Sequence, residues 1–152
     1  MSATFKMVGD FKRAMRMARE IGPRIERVCV PSFGAVGAFY AQEVVRGLDS
    51  QAPAGAKFKP LSDRTIEERA RKRGKASTKA LSDTVVLRNS VTHEPLVHPL
   101  GVFVGLLRTV MHPETGQPAA NLGEIHEHGV PYGVGSQIPV RPFLGPIARS
   151  QS

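Results

Sequence analysis

Glu124-Ile125-His126-Glu127-His128 holds residue types that bind metal ions or move protons, and the backbone beneath it decides which is feasible. On a strand, His126 and His128 share a face and offer two imidazoles to a metal; on a helix they diverge by about 200° and cannot pair. A structural zinc needs four ligands, so distant His112 or Glu114 would have to complete the set. The zinc-protease signature, two histidines four apart around a glutamate, is absent. We therefore expect surface or interface histidines, with no metal and no cofactor. Cys29 falls within an apolar helical stripe, where a thiol is buried and inert. No serine sits in a glycine elbow, and Gly133-Val134-Gly135 is too short for a dinucleotide loop.

Electrostatics supply the stronger signal. Arg69, Arg71, Lys72, Arg73, Lys75 and Lys79 stand within eleven positions that contain no acid. Such a run suits contact with nucleic-acid phosphates through counterion release, or else forms a solvated loop. It contains no aromatic to stack on a base, so specific single-strand recognition is not expected. The whole chain carries 21 Lys+Arg against 13 Asp+Glu, a net charge of +8, with residues 51–90 holding ten of the bases and four of the acids. All five histidines fall after residue 90.

Composition excludes several classes. One cysteine in 152 residues rules out an internal disulfide framework and fits a reducing compartment. No run of about 18 apolar residues is present, so no membrane span or membrane partner is expected, and the first ten residues do not read as a signal peptide. With 41% hydrophobic and 22% charged residues, the chain is expected to fold as one domain. A helical part covers about 5–90, with the basic loop at 69–79, and a strand-rich part covers about 91–152.

The elements follow from periodicity. Val8, Phe11, Met15, Ala18 and Ile21 recur at helical spacing from Phe5 to Ile21. Gly22-Pro23 predicts a break there, and a second helix to about Asp49, bent or divided at Pro31. Gly34, Ala35, Gly37, Ala38 and Ala41 leave a small-residue patch that another backbone can approach. Ser62 or Asp63 caps the next helix, and Ser82 or Asp83 a short helix or turn before Ser90. Val91–Val97 and Gly101–Val110 read as strands, Ala119–His128 as a helix ended by Gly129, and Pro142–Ser150 as a short closing helix. Ile138–Arg141 is expected to be an extended edge. Helices followed by strands argue for α+β: N-terminal helices packed on a small antiparallel sheet.

Four stretches resemble the phage virion-morphogenesis family, which contains the Mu-type tail-completion proteins and is related in role to siphophage neck proteins. They are Phe58-Lys59-Pro60-Leu61-Ser62 with Thr65, Leu81–Ser90, Ile125–Gly129, and Ile138-Pro139-Val140-Arg141-Pro142-Phe143-Leu144-Gly145. The last is the most specific match. Val85 stands where the family has a glycine, and His128 where it has an aromatic. The resemblance implies a non-enzymatic structural protein of the virion, assembled in the host cytoplasm as a homo-oligomeric ring at the head–tail junction or upper tail end. Its partners would be other phage neck, connector and tail proteins, with DNA close by in the channel. Ile138, Pro139, Arg141, Pro142 and Phe143 would then form an assembly interface, Arg141 being presented between two prolines. Pro142-Phe143-Leu144 can equally be a hydrophobic staple for the last helix. The rival readings are a stand-alone, sequence-independent nucleic-acid-binding protein and a metal-dependent hydrolase using His126 and His128.

Overall fold

The computed structural model describes residues 9–74, 77–81, 85–132 and 136–150. The fold is α+β: a long N-terminal helix, a small antiparallel hairpin packed on it, and short helices that close the core. Helix α1 runs without interruption over Phe11–Ser50. The break expected at Gly22-Pro23 does not occur, and both Pro23 and Pro31 lie inside the helix. Each proline removes one rung of the hydrogen-bond ladder, but both are exposed, so water can take the freed carbonyls. The start also differs from expectation. Asp10 caps α1 by accepting from the Arg13 N–H at 3.0 Å, while Phe5 to Val8 lie outside the described residues.

Ser62 caps α2 (Asp63–Arg73) by accepting from the Thr65 N–H, and Gly74 ends it in the left-handed conformation. The first half of the basic segment is therefore helix rather than loop, and Lys75 lies outside the described residues. Helix α3 covers Val86–Ser90; Ser82 and Asp83 also lie outside the description. Strands β1 (Val91–Leu96) and β2 (Gly101–Leu106) pair antiparallel, from Val91 opposite Leu106 to Leu96 opposite Gly101. Strand β2 thus stops short of Val110. Helix α4 spans Ala119–His128, the range expected from sequence, and Gly129 follows it. A second hairpin, β3 (Val130–Tyr132) with β4 (Ser136–Ile138), arises where no periodicity announced it. Helix α5 is Gly145–Ser150.

The core sits at the C-terminal end of α1. Val44 and Leu48 meet Leu87 of α3, Leu106 of β2, and Phe143 with Ile147 at α5. The small-residue patch is used within the chain: a Cβ built on Gly37 would lie 2.5 Å from Val102 Cγ2 and 3.0 Å from His93 Cβ. Only glycine lets the hairpin seat this closely on α1.

Val85 adopts φ 52°, ψ 9° just before α3, a left-handed conformation unfavourable for a β-branched residue. Relief of that strain in Val85→Gly is expected to raise stability by about 1 kcal/mol after the entropic cost of glycine. Val85→Ala, which keeps a Cβ, should gain clearly less. Chemical denaturation of both variants checks this, and equal gains would place the effect in the side chain rather than the backbone.

Candidate functional site

The last turn of α4 and the chain after β4 enclose the most structured polar cluster among the described residues. Glu127 accepts three backbone N–H groups, from Phe143 at 2.9 Å, Leu144 at 3.1 Å and Gly145 at 2.7 Å. These are donors that a helix start leaves without intrahelical partners, and a carboxylate there also complements the helix dipole. One residue earlier, the His126 carbonyl accepts from the Arg141 N–H at 2.8 Å. The C-terminal segment is thereby sewn to α4 at two points.

Arg141 turns inward. The residue is 6% exposed, Nε donating to the Lys59 carbonyl at 2.9 Å and Nη2 to the Pro60 carbonyl at 3.1 Å. The outward presentation expected of a guanidinium between two prolines is overturned. The fork instead ties the loop before α2 to a segment some 80 residues later. Phe143 is fully buried, which matches the staple reading, while Ile138, Pro139 and Pro142 are half-buried. Of the five segment residues, two are thus consumed by the fold of the single chain.

Between α2, α4 and this segment lies a cavity of about 900 Å³. Arg69, Arg141, His112 and His126 contribute to its wall, and no Asp or Glu is among the described residues lining it. His126 Nδ1 is buried without a hydrogen-bond partner. Burial, and then the neighbouring Arg141 charge, push its imidazole down to about 4, so it is neutral at pH 7. Burial, and then the Arg69 charge, lower Arg141 as well.

Among the described residues, the basic run is not gathered on one face. Arg69 Nη1 folds back to the Lys79 carbonyl at 2.7 Å, and Lys72 pairs with Glu68 at 3.1 Å. Arg71, two residues from Arg69, points about 200° away around α2 and is exposed, as is Lys79. Helical geometry likewise separates His126 from His128, and among the described residues no three His, Cys, Asp or Glu converge to hold a metal ion.

A second feature was not read from the sequence as a surface. Residues 9–25 are all exposed, and the first buried residue of α1 is Gly37. Phe11, Met15, Met17, Ile21, Ile25 and Val28 leave between 45% and 69% of their surface in water. With Val36 and Phe39, and taking about 150–200 Å² for each large side chain, the stripe amounts to roughly 700 Å². Lys12, Arg16, Arg19 and Arg27 lie on the other side of the helix. The periodicity that signalled this stripe in the sequence is equally that of a helix packed on its own core.

Helix α1 contains an 18-residue window of mean hydropathy 1.3, long and apolar enough by length and composition to cross a membrane. Its C-terminal part, however, carries the two-stranded β1–β2 sheet. Strand edges without partners do not occur in lipid hydrocarbon, so this packing and insertion of that part are incompatible. In comparisons with known proteins, no family model matches the sequence, and no curated protein or solved structure matches it.

Proposed function

We propose that this chain is a structural, non-enzymatic protein of phage assembly that works as an oligomer at the head–tail junction or the upper end of the tail. The observation that carries the assembly role is the unburied arm of α1. A typical monomer's largest apolar patch is about 300–600 Å², whereas a standard interface buries about 800 Å² on each partner. The apolar stripe that starts on the arm and runs on to Val36 and Phe39, at roughly 700 Å² by the same reckoning of side chains, stands at the scale of an interface. Its helix is also poorly supported alone. Fifteen residues without tertiary contacts are marginal in water, and Gly22 with Pro23 lowers their helicity further. A neighbouring subunit would supply the missing packing, while the basic face opposite stays free for an acidic neighbour or for DNA. The phage setting rests on the sequence resemblance over Phe58 to Ile147.

Two measurements test this. The purified protein, alone or with portal, connector or tail-tube proteins, is expected to form a multimer by light scattering, and mass spectrometry should find it in intact virions. Met15→Asp with Ile25→Asp is expected to abolish the multimer and the stability that association adds, while the dissociated chain still unfolds cooperatively, since neither side chain belongs to the core cluster. A wild-type chain that stays monomeric with every partner and is absent from virions would overturn the proposal. Salt-sensitive DNA binding by a monomer, lost when Arg71, Lys72, Arg73 and Lys75 are neutralised, would favour the stand-alone nucleic-acid reading instead. Co-sedimentation of the monomer with lipid vesicles would favour a membrane role.

A further inference from the structure

We infer that the stripe on α1 is a seam by which three or more copies of this chain bundle their arms, parallel and side by side. This deepens the assembly reading and rests on it, since it names the partner as the same helix of neighbouring copies. With Phe11 at position a of a seven-residue repeat, Ala18, Ile25, Ser32 and Phe39 also fall at a. Ala14, Ile21, Val28 and Ala35 fall at d. All of these stand exposed on one continuous helix. The chain's own core takes other positions: the buried residues of α1 are Gly37 and Val44 at f, Gly47 at b and Leu48 at c. The seam is therefore left uncovered by the fold that α1 supports. Its one polar member, Ser32, already donates to the Val28 carbonyl at 3.1 Å, so covering it strands no hydroxyl. A seven-residue period kept over this length predicts a left-handed supercoil.

Charge placement selects an identical helix over a charged partner. Seven of the eight charged residues from Phe11 to Val28 fall at b, c or f, away from the seam. The exception, Arg24 at g, is paired with Glu20 of its own helix at 2.7 Å. A partner helix of opposite charge is held through e and g side chains, and here those positions include Met15, Met17 and Val36. Apolar e and g positions also widen the stripe beyond a two-stranded seam, so each arm has surface for two neighbours. At roughly 700 Å² the stripe approaches the 800 Å² or so that a standard interface buries on each partner. Copies related by rotation about a single axis all point the same way, so the arms of a closed cyclic assembly run parallel. Six bases and two acids from Phe11 to Val28 then face outward on every copy. Salt screens that like-charge repulsion, so association tightens with salt, the reverse of an ion-paired or nucleic-acid contact.

Sedimentation of the full-length protein alone is expected to find three or more copies per particle. Association should be about tenfold tighter at about 500 mM salt than at about 50 mM. Ile21→Asp, at d, should weaken association at least tenfold, whereas Arg16→Gln, at f, should leave the copy number unchanged. A spin label on Arg13→Cys, in a Cys29→Ser background, reports orientation near the tip of the arm. Parallel arms in register place labels of neighbouring copies within about 30 Å, whereas antiparallel arms crossing at Ile25 separate them by about 36 Å along the axis alone. The label distances provide the readout should Ile21→Asp fail to fold. A dimer as the largest species, association that weakens with salt, an equal loss in Arg16→Gln, or labels about 36 Å apart or more would each overturn the bundle and leave an assembly role standing. A chain monomeric alone that multimerises only with portal, connector or tail-tube proteins would also overturn it, giving the stripe to a different protein. A monomer that sediments with lipid vesicles would give the stripe to a membrane instead. A monomer that joins no partner and is absent from virions overturns the assembly reading as well.

Discussion

Glu127→Gln is expected to lower stability by about 3 kcal/mol, while Glu124→Gln, three residues away and exposed, changes it by less than about 0.5 kcal/mol. The asymmetry comes from what each carboxylate meets. Glu127 Oε2 accepts from the Phe143 and Leu144 N–H groups, and Oε1 from that of Gly145. Hydrogen bonds to a charged group contribute about 1.5–3 kcal/mol each, though three bonds to one carboxylate do not add fully. Glutamine keeps one acceptor oxygen and places an NH₂ against the remaining N–H groups, so donor faces donor. The loss reaches the core, since Phe143 and Ile147 are both buried and follow the capped turn. Urea denaturation of the two variants measures the difference. Equal effects would show that the cap contributes nothing beyond surface charge.

Stability is expected to fall by about 3 kcal/mol as pH drops from about 6.5 to about 4, and much of that dependence should vanish in His126→Gln. The folded imidazole is pushed down to about 4 by burial and then by the Arg141 charge, while the unfolded one titrates near its ordinary 6.5. Between those values the unfolded chain takes up a proton that the folded chain refuses, so protonation favours unfolding. The His126 contribution is thus fully present above about 6.5 and is lost as pH falls through about 4. Each pH unit of separation corresponds to about 1.4 kcal/mol, which sets the size of the effect. Denaturation midpoints of both proteins from pH 4 to 8 decide the matter. An identical pH slope in the variant would assign the dependence to other groups.

How far the sequence disclosed this molecule depended on the reach of each interaction. Helix α4 was legible to its last residue, because its apolar spacing and the glycine that ends it are local. A cap at Ser62 or Asp63, and two strands from Val91 and Gly101, were legible for the same reason, and the structure selects Ser62 and ends the second strand at Leu106. The continuity of α1 was not, since a proline reads as a stop unless one knows that its freed carbonyl faces water. The polar cluster was legible in its residues and not in their roles. Glu127 meets partners 16 to 18 positions on, and Arg141 meets carbonyls 81 and 82 positions back. No local pattern marks a side chain for a partner so remote. His126 drew attention as a metal ligand, while its burial beside a guanidinium appears only once the chain has closed.

The two prolines inside α1 have a mechanical consequence. Each marks a missing rung, and a helix bends most readily where a rung is missing. Phe11 lies twenty residues from Pro31, about 30 Å along the axis. A bend of about 20° at Pro31 would carry that tip through roughly 10 Å while the seated end stays fixed. The helix is then a jointed reach with play built into it, and a neighbour could be engaged without being held to atomic register beforehand.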